Sequence, residues 1–238
     1  MRPAQGARTV DRAIGPRKLA GQGRGAAASI RSRDVPSRRA RRGAPARNRL
    51  RRVRVFVAVT PDPGSRRRLA AVLEGLDDRG LLRRVPAQNL HLTLAFLGEI
   101  SPTRADSAAC AVSRIGPGIA PFRLDISGAL LVFGSRRSIL AAAVGGDLER
   151  LERLRDRLQT ALAEEGLPTG ERSFRPHLTL ARIRPRVSGR ERTALRREVA
   201  SLLAPVRFSF RIEDLGLYRS RIGTSGASYQ LLERAELG

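Results

Sequence analysis

Tryptophan is absent from this chain, and cysteine, methionine and lysine occur once each, as Cys110, Met1 and Lys18. A single cysteine excludes an internal disulfide and a thiolate metal cluster, and it fits a reducing compartment, so a cytoplasmic location is expected. On a helix, Cys110 reads as a small packing residue. No apolar run approaches the length of a membrane span, and no secretory apolar segment follows Met1. Acidic residues are scarce: 22 Asp and Glu face 46 Lys and Arg, a formal charge of +24. There is no Gly-x-x-x-x-Gly-Lys-Ser/Thr loop, no Rossmann glycine fingerprint and no Gly-x-Ser-x-Gly elbow. Those absences exclude the common nucleotide-binding loops and the serine hydrolase arrangement.

The basic excess is uneven. Residues 1–52 carry 16 basic and 2 acidic groups, and residues 53–238 carry 30 and 20. Both parts attract polyanions. Nearly all of the cations are Arg, which suits phosphate recognition but equally suits a general compositional bias. Residues 1–52 are rich in Arg, Gly, Ala and Pro without apolar periodicity, the composition of a disordered tail. Such a tail binds RNA nonspecifically, resembles a transit peptide, or reflects a start site assigned too early, with translation beginning near Val53. A dispensable tail or a misassigned start is favoured over a functional arm. The folded domain is expected to span residues 53–238.

Histidine is nearly as scarce as cysteine, yet its two copies are organised. His91-Leu92-Thr93-Leu94-Ala95 recurs as His177-Leu178-Thr179-Leu180-Ala181. The alternation predicts two half-buried strands, each with its His and Thr on one face and its Leu residues on the other. An imidazole exchanges protons near neutral pH, and a hydroxyl beside it can bind an oxyanion. A solitary strand histidine is more often structural. Two identical settings that use up every histidine favour chemistry. Neither pentapeptide contains a carboxylate, so they make a poor metal shell, and no metal or cofactor is expected.

Around the motifs, strands are predicted at Val53–Val59, Leu81–Val85, Phe122–Phe133 with a break at Gly128, Ile139–Val144, Val206–Tyr218 and Ala227–Glu233. Helices are predicted from Ser65, as the cap, to about Leu76, from Pro102 to Gly116, from Asp147 to Gly166 and from Arg190 to Leu203. The order implies an α+β fold with mostly antiparallel sheets. The 86-residue separation of the motifs implies two pseudo-symmetric lobes flanking a central cleft, with helices outside.

Three stretches together resemble the two-histidine phosphoesterases. They are Arg54-Val55-Phe56-Val57-Ala58-Val59, the run from Pro86 through His91 to Gly98, and Phe174-Arg175-Pro176-His177-Leu178-Thr179-Leu180-Ala181-Arg182. Within that superfamily the sequence is most similar to the RNA 2′,3′-cyclic phosphodiesterases, also described as 2′-5′ RNA ligases. Leu217-Tyr218-Arg219-Ser220 and the segment around Tyr229 share the likeness, which covers residues 53 to about 236. The resemblance implies metal-independent opening of 2′,3′-cyclic phosphate ends to 2′-phosphates. It implies His91 as proton donor and His177 as acceptor, an order the residues alone leave open. Thr93 and Thr179 would bind the phosphate oxygens. Arg182 would add charge, although on a regular strand its odd spacing from His177 turns it away. The partner expected is RNA with cyclic phosphate ends, or a small cyclic nucleotide, acted on by a monomer. Two alternatives stay open: a phosphodiesterase for another small nucleotide such as a 2′-5′ oligonucleotide, and a noncatalytic RNA-binding module. The sequence departs from the family at Arg84, where an aromatic residue, commonly Trp, is usual, and in residues 1–52, which have no counterpart there.

Overall fold

The computed structural model describes residues 52–76, 79–133, 138–168, 174–185, 187–224 and 226–238. The expected tail therefore lies outside the described residues except for Arg52, as do the link between Phe133 and Ser138 and most of the loop before Phe174.

The strands are β1 (Val53–Val59), β2 (Leu82–Arg84), β3 (Leu92–Ile100), β4 (Phe122–Phe133), β5 (Ser138–Gly146), β6 (His177–Ile183), β7 (Phe208–Ile212), β8 (Asp214–Gly223) and β9 (Gly226–Glu236). The helices are α1 (Pro63–Glu74), α2 (Pro102–Ser113), α3 (Leu148–Glu164) and α4 (Gly189–Leu203). All strand pairs are antiparallel. They form a four-stranded sheet, β3-β1-β8-β9, and a five-stranded sheet, β2-β6-β5-β4-β7. This is the expected α+β architecture. The sheets are not successive halves of the chain, however. β2 leaves the first sheet to edge the second, and β8 and β9 return from the second to complete the first.

Each sheet buries one face under a pair of helices, α2 and α3 on the first, α1 and α4 on the second. The α3 stripe shows why. Leu151, Leu154, Leu158 and Leu162 recur at helical spacing and are all fully buried. Each such leucine contributes about 2 kcal/mol of apolar burial. The two sheets approach one another at β3 and β6. Among the described residues, no helix is long and apolar enough to cross a membrane.

Three expectations are corrected. Cys110, read as a small buried residue, lies on α2 but is exposed. Ser65 does not cap α1. Asp62 does, accepting from the Ser65 backbone N–H at 2.9 Å and from its hydroxyl at 2.6 Å. The two bonds hold the Asp62 carboxyl below the usual carboxylate range, and Pro63 fits the first turn because its missing N–H has no partner there anyway. Val206–Tyr218 is not one strand but two, in different sheets. Phe208, Phe210 and Ile212 belong to β7 on β4, whereas Leu215 and Leu217 belong to β8 on β1. The apolar phase slips from even to odd positions at Glu213, whose carbonyl is taken by the Leu237 N–H at 2.8 Å.

Candidate active site

The two pentapeptides repeat in three dimensions as well as in sequence. His91 sits immediately before β3, and His177 opens β6. The Nδ1–H of His91 donates to the Asn89 carbonyl at 2.7 Å, and the Nδ1–H of His177 donates to the Arg175 carbonyl at 2.8 Å. A carbonyl can only accept, so each bond settles the tautomer and leaves Nε2 without the proton in the neutral ring. Thr93 and Thr179 are half-buried two residues further on, with Leu92, Leu94, Leu178 and Leu180 buried on the helix side.

The alternation then breaks at the same place in both copies. Val57 and Ala58 pair with Ala95 and Thr93, which leaves Leu94 as an extra residue. Leu140 and Ala141 pair with Ala181 and Thr179, which leaves Leu180 extra. These are β-bulges, and each flips the residues beyond it to the other face. Arg182 is therefore exposed on the face of His177 and Thr179, not turned away as on a regular strand. At the matching position of β3 stands Phe96, 61% exposed.

The two histidine strands face one another closely enough for their charges to interact. Burial holds the His91 pKa below the ordinary histidine value. The charges of His177 and Arg182 push the same way, and the bond to Asn89 opposes them.

The walls of the site differ. On the first sheet, Phe56 of β1 is the hub. Its ring lies 4.8 Å from His91, 6.0 Å from Phe96, 5.0 Å from Tyr229 at 78°, and 5.5 Å from Tyr218, against which it stacks. Tyr229 also meets His91 edge-on at 5.0 Å. His91 is thus wedged between two rings, which fixes its plane and accounts for its burial. On the second sheet, the residues paired with His177 and Thr179 are Ala143 and Ala141. That wall is open and carries Arg182.

Arg84, where the sequence departs from the family, points the other way. Its Nε donates to the Leu73 carbonyl at 3.1 Å and its Nη2 to the Leu76 carbonyl at 2.8 Å. It closes the end of α1.

Phe56 and Phe96 were not predicted as site residues. For Phe96 the signal was present, since it follows one pentapeptide at the same offset as Arg182 follows the other. The carbonyls of Asn89 and Arg175 carry no side-chain signal. Among the described residues, no group of three or more His, Cys, Asp or Glu side chains could hold a metal ion. The site instead offers two free Nε2 atoms, two hydroxyls and a guanidinium around one space, a set suited to in-line transfer at phosphorus.

Comparison with known proteins follows the same line. Residues 61–223 match the 2′-5′ RNA ligase superfamily. The RNA 2′,3′-cyclic phosphodiesterase of Methanothermobacter thermautotrophicus is 30% identical over 186 residues, covering 76% of this chain and 97% of that protein. The Thermus thermophilus protein of the same name is 32% identical over 160 residues, covering 64% and 74%. Among solved structures, TT0787 of Thermus thermophilus superposes with a TM-score of 0.62 at 26% identity, over 77% of this chain and 97% of that one. Escherichia coli LigT complexed with 3′-AMP gives 0.61 at 26% identity, over 78% and 98%.

Proposed function

The chain belongs to the 2′-5′ RNA ligase superfamily, and on that premise we propose that it is an RNA 2′,3′-cyclic phosphodiesterase that works through His91 and His177. The observation that carries the reading is the duplicated imidazole. Each ring is anchored through Nδ1 to a carbonyl two residues back, which frees Nε2 toward a shared, Arg182-bearing space.

In this scheme a water oxygen attacks phosphorus while His177 Nε2 takes its proton. The bond from phosphorus to the ribose 3′-oxygen breaks, and His91 Nε2–H protonates that oxygen. The products are a 2′-phosphate and a free 3′-hydroxyl. The Thr93 and Thr179 hydroxyls donate to the non-bridging oxygens, and Arg182 offsets their charge. Phe96 offers an exposed ring to the terminal base. A 5′-hydroxyl in place of water yields a 2′-5′ linkage by the same steps. The assignment of donor and acceptor rests on the family resemblance. Burial disfavours the charged form of His91 in the free protein, and a phosphate anion arriving beside it favours uptake of the proton. The protein acts as a monomer in the cytoplasm, without a membrane partner.

An oligoribonucleotide ending in a 2′,3′-cyclic phosphate, incubated without added metal, tests this. Accumulation of a 2′-phosphate is expected. Accumulation of a 3′-phosphate, or tight binding without turnover, would overturn it, the latter in favour of an RNA-binding module. Chelator should leave the rate unchanged.

A further inference from the structure

Resting on that reading, we propose that Arg83, opposite Arg182 on the neighbouring strand, provides a second phosphate site. It takes the phosphodiester on the 5′ side of the terminal nucleotide, so the enzyme selects an oligoribonucleotide over a cyclic mononucleotide.

The argument begins with strand register. β2 pairs with β6 so that Arg83 stands directly opposite Arg182. Opposed residues of an antiparallel pair share a face, with their Cβ atoms about 5 Å apart. Their neighbours Leu82 and Ile183, also paired, are buried on the core side. Both arginines are exposed on the other side, the side of His177 and Thr179. Like charges placed directly opposite are unfavourable. Among the described residues, no carboxylate is paired with either guanidinium. Two guanidiniums on the substrate face, at one strand spacing, call for an anion that the described residues do not supply.

Arg83 also reaches toward the first sheet. Gly226, where β9 begins, has a φ of +128°, and a Cβ there would lie 2.9 Å from Arg83 Nη2. The guanidinium thus rests on the first residue of a strand in the other sheet. Asn89 fastens the same corner by donating from Nδ2 to the Ala227 carbonyl at 2.7 Å. Asn89 is the residue whose own carbonyl anchors His91. Arg83 therefore stands in register with the reacting site, one strand beyond Arg182 toward the edge. A chain whose terminal phosphate lies against His177, Thr179 and Arg182 would carry its next phosphate toward that edge. Arg matches phosphate oxygens with paired donors, and such charge-assisted bonds are strong.

The test compares three substrates: a nucleoside 2′,3′-cyclic phosphate, a dinucleotide with the same end, and that dinucleotide with a neutral methylphosphonate linkage. The native protein should prefer the charged dinucleotide to the other two by about tenfold or more in kcat/KM, the scale of one charge-assisted contact. Arg83→Ala and Arg83→Gln should each collapse that preference to about one, while Arg83→Lys should retain part of it. A native protein without the preference would overturn the proposal. So would an Arg83→Ala variant that slows all three substrates equally, which marks a role at the reacting phosphate or in folding. If no substrate turns over, the assigned activity fails. Equilibrium binding of the three ligands then decides the site separately: it stands if Arg83→Ala weakens only the charged dinucleotide and falls if it weakens all or none.

Discussion

At the scale of residues, the two histidines are expected to dominate. His91→Ala and His177→Ala should each lower kcat by about 10²–10⁴-fold, the usual worth of a general acid or base. Thr93→Ala and Thr179→Ala should cost less, about tenfold, since each removes one neutral hydrogen bond to phosphate. Near-native turnover by either purified histidine variant would contradict the scheme. Burial of His91 adds a pH signature. Its depressed pKa should place one limb of the bell in kcat/KM below the ordinary histidine value of about 6.5. In kcat the limb should move to higher pH, because a bound phosphate anion favours the imidazolium. Pre-steady-state and steady-state pH profiles check this, and limbs that coincide in the two parameters would refute it. The limbs belong to the coupled pair. His91, Thr93, His177 and Thr179 were legible because each pattern is local, two residues long in period. Phe56, Phe96, Tyr218 and Tyr229 come together from four strands, and only the sheet order reveals that they meet around the Phe56 ring, with Phe56 and Tyr229 against the His91 imidazole.

At the scale of elements, the alternation of Leu with His and Thr predicted both motif strands, and leucine spacing predicted α3. The bulges at Leu94 and Leu180 escaped, because an extra residue exists only relative to a partner strand. The phase slip at Glu213 was present in the sequence, but Val206–Tyr218 is apolar enough to read as one run. Arg84 illustrates a local departure with a tertiary explanation: it satisfies carbonyls at the end of α1. Arg84→Ala should therefore destabilise the fold by about 1–3 kcal/mol, as loss of a charged donor to buried carbonyls does. Chemical denaturation measures that loss. Turnover of a cyclic mononucleotide by the folded variant should match the native protein. A selective rise in KM with unchanged stability would instead make Arg84 a substrate contact.

At the scale of the whole molecule, the +14 charge of residues 1–52 and the complete domain after them separate two kinds of binding. Removing residues 1–51 should leave kcat on a short cyclic-phosphate substrate unchanged. Any loss should fall on long RNA and fade as salt rises. A fall in kcat of tenfold or more, with the fold intact, would contradict this. The two-lobed plan was legible from the paired motifs, but the exchange of strands between lobes was not, since it depends on which sheet edge is free when each strand arrives. That exchange also orders events during synthesis. The second sheet can be assembled once β7 has left the ribosome, whereas β1 and β3 have only each other until β8 and β9 follow, and a lone two-stranded ribbon is marginal in water. On nascent chains stalled with Ile212 just exposed, protease should spare β2 and β4 to β7 and cut within β1 and β3. Protection of β1 and β3 at that length would refute the order. The strand led by His91 is thus among the first to be made and the last to be seated, so the growing chain holds only half of the proposed histidine pair in place until the closing hairpin emerges.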